Sequence, residues 1–372
     1  MSRRICRWSI IEVCRVTTSD GLVGYGETVV HYTWRRVTDD QVRRVINQNP
    51  VDLMWDDSLG AGLQMALFDL VGKAMGVPCY RLMGSKVRDK CPISWWAIDM
   101  PPEDWAEEVK LAVRMGYTNA KLKARPWFDI FEQVQAVSDA TPNYFRLDLD
   151  FNGLLLNSGY AVPILRDLEE FPKVSIFETP IPQNDVRGYL KIKSRISRPI
   201  ALHYGVPNLT VCVRENVCDG FIIGGGVSRV KRQASAAAEV NMPFWLQLVG
   251  TGITATFTLH LGSVLTHAIW PAITCHEIYS DDLIKDKIEV QGGFARVPER
   301  PGLGVTIDEN ALERLKIEHP AKKPEPKMRY CISWPDGTKM CFDHADDYYR
   351  EFMAGNLPVF KRGVKFEASK RT

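Results

Sequence analysis

The feature that most limits the fold of this chain is a series of eight short apolar runs that alternate with amphipathic stretches. Each run is rich in strand-forming residues, and each stretch between them has apolar residues at helical spacing. The predicted strands are residues 92–98, 119–124, 144–150, 174–178, 199–204, 220–225, 243–248 and 272–277. Strands that alternate with helices build parallel sheets, and eight such units close into a barrel. The sequence therefore predicts the α/β class with a TIM-type (β/α)8 barrel.

An open, doubly wound sheet is the alternative for such a pattern. That fold commonly carries a glycine-rich dinucleotide fingerprint, and the glycines at 224–229 read GGGVSR, which does not match GxGxxG. With 372 residues and 45% hydrophobic content, the chain is long enough for a barrel and a smaller domain. The barrel is therefore the better interpretation.

The segments outside the strand–helix repeat define the expected domains. Residues 5–28 alternate like a hairpin and 59–75 have one apolar helical face, which predicts an α+β capping domain at 1–90 before the barrel at 91–300. The segment 301–372 is expected to return to the capping domain. It includes a proline-rich linker followed by a hairpin and a short helix, which we expect to decorate the small domain.

Charge and cysteine usage exclude several classes of partner. The net charge is only +2 and no long run of Lys and Arg occurs before the tail, so neither nucleic acid nor a membrane surface is an expected partner. The sequence has neither a sustained apolar signal segment nor an apolar run of about 18 residues, and we expect a cytoplasmic protein. The nine cysteines form no CxxC pair and are expected to be reduced core thiols.

The residues with candidate chemistry cluster where the predicted strands end, and active sites of such barrels lie at that edge. These residues are Lys121, Lys123, Asp148, Asp150, Asn152, Glu178, His203, Tyr204, Gln247, His276 and Glu277. Because side chains alternate along a strand, Lys121 and Lys123 share a face, as do Asp148 and Asp150. Ammonium groups and carboxylates around a divalent ion suit removal of a proton from the carbon next to a carboxylate. A lysine whose pKa is lowered by a neighbouring cation could act as the base.

Plainer interpretations stand beside this one. The two lysines could simply form ion pairs with the two aspartates, and Asp148 is more typical of a supporting partner than of a ligand. His203 could be a strand-end histidine without a metal, and Tyr204 could only pack. Gln247 cannot carry a proton, because an amide does not titrate, so it is expected to donate or accept hydrogen bonds.

At this point the residues match a known family. Over about residues 8–315 the chain resembles the mandelate racemase/muconate lactonizing branch of the enolase superfamily. The motifs that carry the resemblance are VTTSDGLVGYGE near the start, ALFDLVGKAMGVPCYRLMGS, KLK at 121–123, DFNG at 150–153, FETPIP at 177–182 and PGLGVTID at 301–308. The resemblance implies a modified TIM barrel under an α+β capping domain, and a symmetric homo-oligomer.

The resemblance also implies roles for individual residues. Asp150 and Glu178 would be ligands of a magnesium ion, Lys123 the catalytic base and Lys121 a contact of the substrate carboxylate. Asn152, Gln247 and Glu277 would bind substrate, and a loop with His31, Tyr32 and Trp34 would close over the site.

Two departures from the family pattern bear on the reaction. The fifth strand ends in His203 and Tyr204 where the family has an acid, and Mg²⁺ prefers hard anionic oxygen. Either His203 is the third ligand, which favours another divalent ion, or two acids and water hold the metal. Gly226 and Gln247 stand where many relatives keep a second base, so a base on the opposite face of the substrate is not expected.

A missing second base favours some reactions over others. Racemisation by two bases is disfavoured, whereas elimination of water needs one base and an acid, for which Lys123 with Tyr204 or His203 could serve. We therefore expect a metal-dependent dehydratase of a hydroxylated carboxylic acid, with acid sugars as the class that the resemblance implies. An isomerase, epimerase or cycloisomerase is the first alternative. A protein whose site has decayed into a binding or regulatory role is the second.

Overall fold

A computed structural model describes residues 8–32, 36–318 and 327–370. Trp34, which we expected in the loop over the site, lies outside the described residues. The strands, numbered in chain order, are β1 Ile11–Thr17, β2 Val23–Val29, β3 Lys90–Pro92, β4 Trp95–Ala97, β5 Asn119–Lys123, β6 Arg146–Asp150, β7 Val174–Glu178, β8 Ile200–His203, β9 Gly220–Ile223, β10 Phe244–Leu246, β11 Val290–Gln291, β12 Phe294–Arg296, β13 Met328–Ser333, β14 Lys339–Phe342 and β15 Lys365–Lys370.

The helices are numbered in the same way. They are α1 Asp39–Val45, α2 Pro50–Leu53, α3 Ala61–Ala74, α4 Cys79–Met83, α5 Pro102–Arg114, α6 Ile130–Ala140, α7 Ser158–Glu169, α8 Val186–Lys193, α9 Leu209–Glu215, α10 Val227–Glu239, α11 Gly252–Ser263, α12 Glu309–Leu315 and α13 Ala345–Met353. None of the described helices is long and apolar enough to cross a membrane.

The chain divides into two compact units. The first unit contains the described residues of Ala97–Phe221 and Glu325–Thr372, and the second contains those of Arg7–Trp96 and Ile222–Pro324. The domain limits expected from the sequence stay a prediction.

The first unit is built on four neighbouring strands of a parallel sheet, β5 to β8, which lie side by side in chain order. The register places Lys121 opposite Asp148 and Lys123 opposite Asp150 across β5 and β6. It then places Asp150 opposite Glu178 across β6 and β7. Parallel strands in register bring their carboxyl ends to one edge, so the charged residues of three neighbouring strands come together there.

The C-terminal extension forms a three-stranded antiparallel sheet in the order β14-β13-β15, with α13 beside it. We expected it to decorate the small N-terminal domain, but its rings pack on the residues that follow β5 and β6. The ring of Tyr348 lies 4.7 Å from that of Trp127, and the ring of Phe360 lies 5.5 Å from that of Phe151. The extension therefore supports the edge of the sheet that carries the charged residues.

One cysteine prediction is wrong. Cys331 and Cys341 lie directly opposite each other in β13 and β14 and form a disulfide. The hairpin register brings the two thiols together, and this pairing does not require a CxxC motif. The free cysteines of the described chain are all buried, as expected for core thiols.

In the second unit, an antiparallel hairpin of β1 and β2 packs on α3. The predicted apolar face of α3 is buried throughout its length. The backbones approach so closely that a Cβ at Gly26 would lie 2.1 Å from the carbonyl oxygen of Gly62. Only glycine fits this contact, which explains the GYG sequence of β2.

The eighth predicted strand, 272–277, is not a regular strand. Ala272 forms an isolated parallel bridge to Ile93, and Ile273 forms one to Gln247. From His276 the chain turns into a short 3₁₀ helix, His276–Ile278. The apolar residues of this run therefore pair on both sides, but only one residue at a time.

Candidate active site

The alternation of β5 places its two lysines on one face. Ala120 and Leu122 are fully buried on the other face, so Lys121 and Lys123 both project toward the charged residues of the neighbouring strands. Lys121 is only 1% exposed. A lysine is rarely buried to this extent without anionic partners.

The partners of both lysines are the carboxylates of β6 and β7. Lys121 Nζ lies 2.5 Å from Glu178 Oε2 and 3.3 Å from Asp150 Oδ2. Lys123 Nζ donates to Asp150 Oδ2 as well. Both carboxylate side chains are 0% exposed. The structure thus brings together four of the residues singled out in the sequence, within one buried cluster of alternating charge.

Burial and neighbouring charge shift the pKa values of this cluster in opposite directions. Burial would raise the pKa of Asp150, but Lys123, Lys121 and Arg125 outweigh burial and hold this pKa well below its usual range. Burial lowers the pKa of Lys123, and the positive charges of Lys121 and Arg125 lower it further, whereas Asp150 and Glu178 oppose the change. A lysine with a lowered pKa is easier to deprotonate near neutral pH and is therefore better suited to act as a base.

Asp148 lies two residues before Asp150 on the same face of β6. Its Oδ2 accepts a hydrogen bond of 2.9 Å from Asn119 Nδ2, and burial raises its pKa to about 7 against the opposing effects of Asn119 and Lys121. This hydrogen bond joins Asp148 to β5, and a role as a supporting residue stays a prediction.

Glu178 provides the test of whether a cation fits here. Neither of its buried oxygens accepts a hydrogen bond from a described residue, although Lys121 lies beside one of them. A buried carboxylate that accepts no hydrogen bond has lone pairs left for a cation in addition to Lys121, and carboxylate oxygen is the donor that Mg²⁺ prefers. Asp150 and Glu178, in register on neighbouring strands, therefore fit two ligand positions of a divalent cation.

His203 is the candidate for a third ligand of the cation, and its contacts are weaker than those of the two carboxylates. His203 Nε2 lies 3.4 Å from Glu178 Oε1, and the His203 side chain is 45% exposed. Among the residues that the structure describes, no three His, Cys, Asp or Glu side chains are arranged to hold a metal ion. His203 is near enough to approach a cation between the carboxylates, but in this arrangement it contacts only one of them.

The loop that follows β8 is held by Gln183. Its Oε1 accepts from the backbone N–H of His203 at 2.8 Å, and its Nε2 donates to the carbonyl oxygen of Val206 at 3.0 Å. Tyr204 packs its ring edge-on against Phe221 with centroids 5.0 Å apart, and burial raises its pKa. Tyr204 therefore has a packing contact, while a role as an acid stays a prediction.

Asn152 stands at the mouth of the cluster. Its Oδ1 accepts from Lys123 Nζ at 3.1 Å and from Arg125 Nη2 at 2.6 Å. Its backbone N–H donates to Asp150 Oδ1 at 3.0 Å, and its φ of 49° lies in the left-handed region that asparagine tolerates. The side chain is thus tied to both the base candidate and the metal-ligand candidate.

The other predicted site residues belong to the second unit. Gln247 donates its backbone N–H to the carbonyl oxygen of Ile223. The carboxylate of Glu277 is buried, and its Oε2 lies 3.6 Å from Nδ1 of His276. Tyr32 is 42% exposed. His31 has a buried Nε2 that makes no hydrogen bond with a described residue.

Gly226 has a physical reason to be a glycine. A Cβ there would lie 2.3 Å from Cγ of Asp57, and this aspartate accepts hydrogen bonds from the backbone N–H groups of Ser228 and Arg229 at the start of α10. A larger residue would displace the aspartate from the helix end. No side chain that could serve as a base fits at this position.

Sequence reasoning missed Arg125 and Gln183. Arg125 follows the KLK motif by two residues, and Gln183 follows FETPIP directly, so both were adjacent to motifs that were recognised. Neither lies on a predicted strand face, and alternation therefore gave no signal for them.

The comparisons with known proteins bear on the family and the fold of the chain. Residues 104–311 match the family described as "Enolase C-terminal domain-like". The D-gluconate dehydratase of Thermoproteus tenax is 28% identical, and the match covers 84% of this chain and 71% of that protein. A D-galactonate dehydratase of Variovorax paradoxus is 24% identical, and the match covers 93% of this chain and 97% of that protein.

Solved structures show the same fold. The crystal structure of N-succinyl Arg/Lys racemase from Bacillus cereus ATCC 14579 superposes with a TM-score of 0.68 at 21% identity, covering 83% of this chain and 90% of that one. The predicted fold class, an α/β modified TIM barrel with an N-terminal α+β capping domain, is confirmed.

Proposed function

Because the chain belongs to the enolase superfamily, in its mandelate racemase/muconate lactonizing branch, we propose that this enzyme is a hydro-lyase that dehydrates an acid sugar. The observation that carries the proposal is the buried cluster in which Lys123 and Lys121 contact Asp150 and Glu178. The named dehydratases among its relatives act on gluconate and galactonate, which supports a hydroxylated carboxylate as substrate.

In the proposed reaction, Lys123 Nζ takes the proton from the carbon next to the substrate carboxylate. Lys121 holds that carboxylate by charge, and Asn152 contacts a substrate oxygen. A divalent ion, Mg²⁺ or another, held by Asp150 and Glu178 with His203 or water, would supply positive charge to stabilise the enediolate form of the substrate.

The second half of the reaction is loss of hydroxide from the next carbon. The hydroxide leaves with a proton and departs as water, and the resulting enol becomes a 2-keto-3-deoxy acid. The proton can come from Lys123 itself if both groups leave from the same face, or from Tyr204 or His203. One base is then sufficient, which agrees with the glycine at position 226.

A racemase, epimerase or cycloisomerase is the second candidate, supported by the fold likeness to a racemase. It requires an acid or base on the other face of the substrate. A protein with a decayed site is the third candidate, motivated by His203 at the third ligand position. Residues Gln247, Glu277, His31, Tyr32 and Trp34 stay proposed substrate contacts, and a homo-oligomer stays a prediction.

The experiment is a panel of acid sugars, including D-gluconate and D-galactonate, incubated with the purified chain and Mg²⁺ or Mn²⁺. Formation of 2-keto-3-deoxy acid is followed as its semicarbazone. We expect one or a few acids to lose water and the Lys123→Met variant to be inactive. Inversion of a stereocentre without loss of water would favour the isomerase. If no acid is converted and neither metal binds, the decayed-site interpretation holds.

A further inference from the structure

Arg125 contacts three groups around the cluster, and neither the sequence motifs nor the comparisons assign it a role. Its side chain is only 4% exposed. Nη1 donates to the carbonyl oxygens of Ala124 at 2.7 Å and Asp150 at 3.1 Å, and Nη2 donates to Asn152 Oδ1 at 2.6 Å. One planar guanidinium therefore joins the end of β5, the end of β6 and the side chain of Asn152.

The chemistry of the neighbours fixes which way the Asn152 amide faces. Arg125 and Lys123 both point hydrogen-bond donors at the same Asn152 atom. Neither cation can accept a hydrogen bond, so the atom that faces them must be the carbonyl oxygen. The NH₂ group of Asn152 then faces the other way.

The NH₂ group of Asn152 is left without a partner in the described chain. Asn152 is an exposed residue, and no hydrogen bond to a described residue uses its Nδ2. Its backbone is held as well, through the bond from its N–H to Asp150 Oδ1. A rigid, outward-facing donor beside a catalytic lysine candidate is suited to bind a ligand atom that accepts hydrogen bonds.

We propose that Arg125 is a positioning residue, which holds the Asn152 amide so that its NH₂ group donates to an oxygen atom of the substrate. This inference rests on the proposed function, because it places the substrate beside Lys123. It also narrows the substrate class: the acid must carry a hydroxyl or other acceptor oxygen at the point that meets Asn152. An acid that is deoxy at this point leaves the donor unpaired and reacts more slowly.

The kinetic test is a double-mutant cycle on the best substrate of the panel, with Arg125→Met, Asn152→Ala and the double variant. If Arg125 acts through Asn152, each single change lowers kcat/KM by about 10-fold or more, and the loss in the double variant is clearly smaller than the product of the two single losses. Arg125→Lys, which keeps a donor, recovers part of the loss. The proposal would be overturned if the loss of kcat/KM in the double variant equalled the product of the two single losses. Full activity in Asn152→Ala would also overturn it.

A second readout does not depend on activity. The chain is labelled with ¹⁵N-asparagine, and the NH₂ signals of Asn152 are identified by their absence in Asn152→Asp. We expect these signals to shift or broaden in Arg125→Met and to stay close to their positions in Arg125→Lys. Unchanged signals in Arg125→Met would refute the positioning role even if acid sugars are dehydrated. Changed signals in a chain that converts no acid sugar would instead count against the proposed function alone.

Discussion

The buried lysine at position 121 allows the charge cluster to be tested without a substrate. In Lys121→Met the side chain keeps its length and apolar stem but loses the ammonium group, so the cavity that remains is small. Lys121 is 1% exposed and both of its carboxylate partners, Asp150 and Glu178, are 0% exposed. The substitution therefore removes a cation from between two fully buried anions.

The expected cost follows from this burial. Removing one partner of a buried ion pair destabilises a protein by about 3–5 kcal/mol, because the remaining charge is left in a poorly solvated place. The matched control is Lys110→Met, which breaks an exposed pair with Glu107 whose two side chains are 44% and 70% exposed. Exposed pairs of this kind contribute about 0–1 kcal/mol.

The measurement is urea unfolding of both variants and the parent chain at neutral pH, followed by far-UV circular dichroism with a chelator present. With a slope of about 3 kcal/mol per molar urea, the Lys121→Met midpoint should fall by about 1 M or more. Adding Mg²⁺ should recover more stability in this variant than in the parent chain, since a cation that binds only the folded state stabilises it. If Lys121→Met loses no more stability than Lys110→Met, the buried charge cluster is not as described.

Three further predictions concern parts of the fold outside the cluster. His260 is fully buried and burial lowers its pKa to about 4, so on acidification the unfolded chain binds a proton here that the folded chain does not. The contribution of His260 to the free energy of unfolding should therefore fall by about 3 kcal/mol between pH 6.5 and 4, and the difference between the parent chain and His260→Gln in urea titrations should change by this amount over that range. Gly26→Ala should lower the free energy of unfolding by about 1–3 kcal/mol, because the added methyl group would meet the carbonyl oxygen of Gly62. A decrease below about 0.5 kcal/mol in urea unfolding would contradict this contact. Phe360→Ala should cost about 3–5 kcal/mol by removing a buried ring that packs on Phe151, and an unchanged urea midpoint would show that the extension does not support that edge.

The sequence predicted the parts of the fold that depend on local pattern. Alternation in NAKLK and RLDLD indicated which side chains share a face, and the parallel register of β5, β6 and β7 then brings Lys121, Lys123, Asp150 and Glu178 together. The prediction of a regular eighth strand was wrong, because residues of this apolar run form only isolated bridges and the chain turns into a 3₁₀ helix at His276.

Other features depend on contacts that sequence spacing does not reveal. The place of the extension is set by ring packing between Tyr348 and Trp127, far apart in the chain. Arg125 makes a fork of hydrogen bonds whose partners come from the ends of two neighbouring strands, β5 and β6. The disulfide could have been predicted from the sequence, because Cys331 and Cys341 lie at equal distances from Asp336 in the predicted hairpin and therefore face each other across it.

The central claim is that Lys123 removes the proton next to the carboxylate of a hydroxylated acid. It is tested most directly by incubating the acid sugar that the parent chain converts with the parent chain and with Lys123→Met, in D₂O, and recording both loss of water and deuterium exchange at the α-carbon by NMR. The account predicts that Lys123→Met slows both processes by about 10²-fold to 10⁴-fold, the usual contribution of a positioned base, while Lys110→Met behaves like the parent chain. Loss of water or exchange at the parent rate in Lys123→Met would contradict it.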